Sequence, residues 1–352
     1  MWSSFLMSQM PETRSSAPAP GPRNSITDVP GLKVGQAQHE AVRTGVTVIL
    51  PDDRAVAAVD VRGGGPGTRE TDALSPENLV EAIDAIVLSG GSVYGLAAGD
   101  GVVSWLGAQG RGYGLLGRAG VPLSPVVPGA ILYDLANGGD KTWGEEPPYR
   151  QLGREAVINA GLEVVQGTAG AGFGAMAGSL KGGTGTASVV TVDGMTVGAL
   201  ACVNSYGAVV APGTRSFWAA PYEMGDEFGG LGTADLKAAP DDWGLAKADP
   251  GQRMNTTIAC VATDVALTPA QAKRLAIMAQ DGLARAIRPI HAPFDGDVVF
   301  ALSTGRQPLK GGDFTLARLG ALAADVLARA VARGVHEATP WPGTQVVCWR
   351  DL

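Results

Sequence analysis

Met254-Asn255-Thr256-Thr257-Ile258-Ala259-Cys260-Val261-Ala262-Thr263 is where pattern returns after a long stretch without it. Upstream, residues 213–253 are rich in Gly, Pro, Ala and Asp and show little periodicity. A loop of that length inside a compact domain is uncommon and is usually functional or flexible. Residues 256–263 then read as a buried strand. A threonine therefore stands at the head of an ordered element, directly behind a segment predicted to be flexible. If the bond before it is cut, that threonine acquires a specific chemistry. A hydroxyl is a weak nucleophile near neutral pH, and an N-terminal Thr supplies its own α-amine as the base. The amine has an ordinary pKa of roughly 7.7–8.0, so a modest shift leaves it neutral near pH 7. Exposing it in mid-chain requires Thr256 Oγ to attack the Asn255 carbonyl, shift the acyl group from N to O, and let water cleave the ester. The products are residues 1–255 and 256–352. The same residues also fit plain strand propensity, because Thr-Thr commonly opens a β-rich run.

Working outward, Thr268-Pro269 supplies an N-cap followed by proline at the first helical position, with Gln271 completing a capping box. Leu275, Met278, Ala279, Leu283 and Ile287 form that helix's apolar face, and Pro289 stops it. A strand over 298–303, a helix over 315–333 closed by Gly334, and a last strand over 345–349 complete a β-α-β-α-β unit. In the N-terminal part, 45–50 and 55–61 read as strands. Residues 85–88 form a buried strand running into Ser89-Gly90-Gly91 and a small-residue helix over 94–106. Strands over 187–192 and 196–203 flank Asp193-Gly194, a strong hairpin signal. Residues 11–24, rich in Pro, Ser and Ala, predict a disordered tail over 1–25 and a single domain over 26–352.

Composition bounds the partners. The chain has 352 residues, 45% of them hydrophobic, and a net charge of −7. It offers no basic footprint for nucleic acid or an anionic membrane surface, and no run of about 18 apolar residues to span a bilayer. The first ten residues lack the pattern of a signal peptide. Three cysteines at distant spacings, with no C-x-x-C pair, read as reduced, buried thiols and fit a cytoplasmic protein. Three histidines without H-E-x-x-H argue against a metal hydrolase. No cofactor motif survives inspection. Asp140 spoils a P-loop reading of 138–142, and 90–95 miss the dinucleotide spacing. There is no G-x-S-x-G elbow. The expected ligand is a small-molecule or peptide amide.

Asn255 to Asp264, followed by Pro-Ile-His-Ala-Pro-Phe-Asp-Gly-Asp from Pro289, resembles the L-aminopeptidase/D-alanine-esterase family. That family includes β-peptidyl aminopeptidases and endo-type 6-aminohexanoate-oligomer (nylon-oligomer) hydrolases. The resemblance extends to 26–35, 62–72, 88–96 and 181–188, and so over nearly all of 26–349. It implies an α/β protein, a four-layer α-β-β-α sandwich similar to N-terminal-nucleophile hydrolases but with distinct connectivity. It also implies cleavage between Asn255 and Thr256 and a homo-oligomer of the paired chains, without cofactor or metal. By the same resemblance Thr256 is the nucleophile; many members of the family carry Ser there, whereas Thr is similar to the nylon-oligomer hydrolases. Asn204 matches an oxyanion-stabilising amide and Tyr133 a hydroxyl helping at the same oxygen; their alternatives are a turn residue and a packed aromatic. Lys181 matches a lysine near the nucleophile, and otherwise reads as a solvated one. Asp295 and Asp297 match the acidic pair of the nylon-oligomer hydrolases, where β-peptidyl aminopeptidases carry Ser-x-Glu; alternatively they form a turn before a strand. Acyl transfer of the ornithine acetyltransferase kind, or an uncleaved binding protein on the same scaffold, are the competing readings.

Overall fold

A computed structural model describes residues 17–114, 120–248 and 255–352. In chain order its strands are β1 (Leu32–His39), β2 (Thr44–Pro51), β3 (Ala55–Val61), β4 (Thr68–Arg69), β5 (Ala82–Ile83) and β6 (Ile86–Ser89). Then follow β7 (Gly129–Ile131), β8 (Met176–Ala177), β9 (Leu180–Lys181), β10 (Gly183–Val190), β11 (Thr196–Asn204), β12 (Thr256–Val265) and β13 (Val298–Gln307). The helices are α1 (Ala98–Ala108), α2 (Tyr149–Ile158), α3 (Pro269–Ala286) and α4 (Gly312–His336).

Every residue of β2, β11 and β12 is buried. Strands covered on both faces must lie between two layers, and the apolar clusters supply them. Ile49, Ile86, Leu88, Leu200, Ile258, Cys260 and Phe300 belong to one core shared by both large sheets. Outside it, α1 and α2 close over β2 and β6 through Val46, Val48, Val102, Leu106 and Leu152. On the far side α3 and α4 cover the other sheet through Val261, Leu275, Leu283, Leu319 and Val331. The result is the four-layer α-β-β-α sandwich expected. Its sheets run β1-β2-β6-β7-β4 and β10-β11-β12-β13-β3-β5.

Register decides where chemistry gathers. β11 and β12 pair antiparallel with Asn204 opposite Thr256. β12 and β13 pair in parallel from Ile258 and Val298 onward, so both begin at the same end of the sheet. The turn before β13, which holds Asp295 and Asp297, therefore sits beside the start of β12.

Several local expectations need correction. Gly334 does not close α4; it lies within it, where an added Cβ would meet the Gly185 backbone at 2.8 Å, so the glycine serves close packing of the helix on β10. Residues 345–349 form no strand. Val347 gives one carbonyl to the Lys181 amide, and the Trp349 ring stacks on Phe217 at 5.3 Å. The helix expected over 94–106 begins as a 3-10 turn, Ser92–Ala97, before α1. Residues 17–25 are not loose, since Ala19 pairs with Val190 and the Gly21 amide donates to Ser188 Oγ at 3.0 Å. The remainder of the expected tail, 1–16, lies outside the described residues. Residues 213–248 are irregular, packed around the buried Phe217 and Phe228 but exposed over most of 229–244; 249–254 are outside the described residues. Among the described residues no helix is long and apolar enough to cross a membrane.

Candidate active site

Thr256 opens β12 and is buried, as is Asn255 before it. The Thr256 hydroxyl donates to the carbonyl oxygen of Asn255, which places the oxygen of one group against the carbonyl of the other. The same carbonyl oxygen accepts the Gly296 amide at 2.9 Å. Asn255 is further tied to Asp295 by a parallel bridge. Backbone N–H groups aimed at a carbonyl oxygen are the donors that an oxyanion needs.

The Asp295-Gly296-Asp297 turn is held from behind by the glycine-rich segment after β3. The Gly65 amide donates to Asp295 O at 2.7 Å, and the Arg62 amide donates to Asp297 O at 3.0 Å. Asp295 Oδ2 accepts the Ala292 amide at 2.9 Å. Burial, and then the neighbouring Asp297 charge, push the Asp295 carboxyl up to about 7. Asp297 Oδ1 accepts the Thr257 amide at 2.8 Å, while Oδ2 accepts the His291 amide at 3.1 Å and lies 2.9 Å from His291 Nδ1. Asp297 thus ties the second residue of β12 to the turn, and Asp295 sits beside Asn255.

Asn204 closes the other flank. Its Oδ1 accepts the Met176 amide at 2.9 Å and its Nδ2 donates to the Tyr133 carbonyl at 3.0 Å. Asn204 and Tyr133 line a cavity of about 100 Å³ together with Asp134, Asn137, Met176 and Lys247.

Lys181 is fully buried and its ammonium is turned to main-chain carbonyls. Its ammonium donates to the carbonyls of Gly172, Ala175 and Gly182 at 3.3, 3.0 and 2.7 Å, and lies 5.0 Å from the centre of the Trp341 ring. The solvated-lysine alternative is therefore wrong, and three main-chain carbonyls accept its protons. Burial brings its pKa down to about 7.

The cation against Asn255 is Lys247, which sequence reasoning missed. Its ammonium donates to Asn255 Oδ1 at 2.8 Å, and burial lowers it to about 7 against the opposing pull of Asp295. Burial thus raises the Asp295 carboxyl and lowers the Lys247 ammonium, and both residues contact Asn255. No local signal marked Lys247, one of several charges scattered through an aperiodic segment. Gly296 was legible only as the middle of a turn, because its contribution is a main-chain N–H.

Four layers, with a threonine, a carboxylate pair and an amide gathered at one end of the central strands, define an N-terminal-nucleophile-like hydrolase fold. The family model described as Peptidase family S58 matches residues 24–347, and the chain belongs to that family. It is 46% identical to an uncharacterized aminopeptidase of Mycobacterium tuberculosis, over 94% of this chain and 98% of that one. Identity to the 6-aminohexanoate-oligomer endohydrolase of a Kocuria species is 31%, over 79% of this chain and 74% of the relative. Among solved structures, a Burkholderia beta-aminopeptidase superposes with a TM-score of 0.67 at 25% identity, covering 91% of this chain and 88% of its own. The L-aminopeptidase D-Ala-esterase/amidase of Ochrobactrum anthropi shares the fold with a TM-score of 0.67 at 24% identity, covering 95% and 93%. The chain is a hydrolase of this peptidase family.

Proposed function

We propose that this hydrolase activates itself by cutting the Asn255–Thr256 bond and then uses Thr256 as an N-terminal nucleophile on amide bonds. The observation that carries the reading is the Thr256 hydroxyl lying against the Asn255 carbonyl, whose oxygen also accepts the Gly296 amide. In the first step Oγ bonds to the Asn255 carbonyl carbon while its proton passes to a neighbouring base. The C–N bond breaks, and the Thr256 nitrogen takes up a proton to become an amine. Water then opens the ester, leaving a carboxylate on Asn255 and restoring the hydroxyl. In turnover the new amine accepts the Oγ proton, the hydroxyl attacks a substrate carbonyl, the substrate amine leaves, and water hydrolyses the acyl-enzyme.

Asn204 and Tyr133 are assigned to the substrate oxyanion, and Asp295 with Asp297 to orienting the Thr256 amine and relaying its proton. Lys181 is assigned an indirect part, holding the Gly172–Gly182 region that backs Asn204. The substrates in view are peptides, amino-acid amides or 6-aminohexanoate oligomers, supported by the names of the relatives. Assembly of the paired chains into a homo-oligomer and residence in the cytoplasm belong to the same reading; three buried free cysteines agree with the latter. Intact mass spectrometry under denaturing conditions tests the core of it. Two species, one beginning Thr-Thr-Ile, are expected, with turnover of amino-acid p-nitroanilides or aminohexanoate oligomers only in cleaved material. Active protein that remains whole overturns it.

A further inference from the structure

Self-cleavage asks more of Asn255 than of any substrate, because its carbonyl must be presented to the next residue's own side chain. A peptide carbonyl next to a hydroxyl is ordinary in proteins, and such bonds survive unless the carbonyl is held in an attackable orientation. Asn255 is held through both backbone and side chain. Its backbone bridges Asp295, with its carbonyl accepting the Gly296 amide, and its side-chain Oδ1 accepts the ammonium of Lys247 at 2.8 Å.

The side-chain contact is built rather than incidental. The Lys247 amide donates to the Tyr206 carbonyl at 3.0 Å. Two residues earlier, the Leu245 carbonyl accepts both the Ser179 amide at 2.8 Å and the Ser179 hydroxyl at 3.1 Å. The Tyr206 ring meets Trp243 and Phe294 edge-on at 6.1 and 4.7 Å. Residues 243–247 are therefore fixed to the scaffold on their own account. An ammonium taken out of water costs free energy unless it is matched by acceptors, so a lysine with no task here would extend into solvent. This one turns inward, toward Asn255 and the Asp295 charge.

We propose that Lys247 is a positioning residue for self-cleavage, which holds the Asn255 side chain and thereby keeps the scissile carbonyl between the Thr256 hydroxyl and the Gly296 amide. The inference rests on the reading of Thr256 as the self-cleaving nucleophile and adds the residue that prepares the bond for it. Lys247 acts through Asn255, so removing either partner removes the same restraint.

The experiment follows the first-order appearance of the 256–352 fragment in freshly made full-length chain. Lys247→Met and Asn255→Ala should each slow it by about 10- to 100-fold. The double variant should be no slower than the slower single one, because the two substitutions break one contact. Lys247→Arg, which keeps a cationic donor, should recover most of the rate. Circular dichroism and melting temperature establish that each variant is folded, and Lys247→Gln replaces Lys247→Met if the latter is not. A Lys247→Met chain that cleaves at the wild-type rate overturns this inference alone. Losses that multiply in the double variant overturn the route through Asn255. Wild-type chain that never cleaves removes the Thr256 reading, and this inference with it.

Discussion

The amide of Gly296 donates to the carbonyl oxygen of Asn255 at 2.9 Å, from a turn that stands 40 residues downstream of Thr256. Under the proposed self-cleavage, negative charge developing on that oxygen is met by a dipole already in place, with no reorganisation needed at the moment of attack.

A side chain at this position is expected to undo the arrangement. A Cβ on Gly296 would fall 2.7 Å from Thr256 Oγ and 2.9 Å from Gly65 O. Gly296→Ala should fold yet process on the order of 100-fold more slowly, since small displacements of reacting groups carry penalties of that size. Densitometry of a denaturing gel over time measures it; wild-type kinetics rule out a tight geometric role for Gly296.

Thr256→Ala removes the hydroxyl and leaves the fold, because the residue's backbone carries the pairing with Asn204. The variant should run as one chain and show no amide hydrolysis. Two bands from it would disprove the assignment of the nucleophile.

Asn204→Ala should slow both processing and turnover. It also strips a partner from the part-buried Met176 amide and Tyr133 carbonyl, at a cost of about 1 kcal/mol or more. Chemical denaturation measures the second effect and burst kinetics the first. Normal rates in a destabilised protein would reduce Asn204 to a structural residue.

Asp297→Asn tests the acidic pair through pH. Asp295 titrates near 7 in the folded chain, above its ordinary 3.8, and the Asp297 charge is the second cause after burial. Between about pH 4 and pH 7 the folded chain holds a proton that the unfolded chain has released, so this group lowers stability as pH rises through that window. Without the neighbouring charge the Asp295 value should come down, and melting temperature should fall less steeply from pH 4 to 7 than in the wild type. Parallel slopes would show that the two carboxylates do not interact.

Lys181→Met leaves three buried carbonyls, of Gly172, Ala175 and Gly182, without their donor. A loss above about 3 kcal/mol is expected from that alone. The variant should unfold at markedly lower denaturant concentration while any cleaved fraction keeps measurable turnover. An unchanged midpoint with abolished activity would instead place Lys181 in the chemistry.

The sequence by itself determined what short-range chemistry can write. Asp193-Gly194 dictated the hairpin of β10 and β11, and Thr268 with Gln271 dictated the start of α3 through a capping box that forms as read. The all-buried run behind Thr256 announced a central strand, and the family resemblance named the candidates Thr256, Asn204, Tyr133, Lys181, Asp295 and Asp297. Tertiary structure alone decided which of these meet. Parallel pairing of β12 with β13 brought the 295–297 turn to Thr256, and antiparallel pairing brought Asn204 there, contacts between segments that share no local signal. It turned Lys181 toward carbonyls and supplied Lys247 from an aperiodic stretch. It also made Gly334 a packing residue inside a helix and not its end. The reason is physical: caps and turns are satisfied within a few residues of chain, whereas the partner of a buried charge or a scissile carbonyl is chosen by whatever the folded layers place within about 3 Å of it.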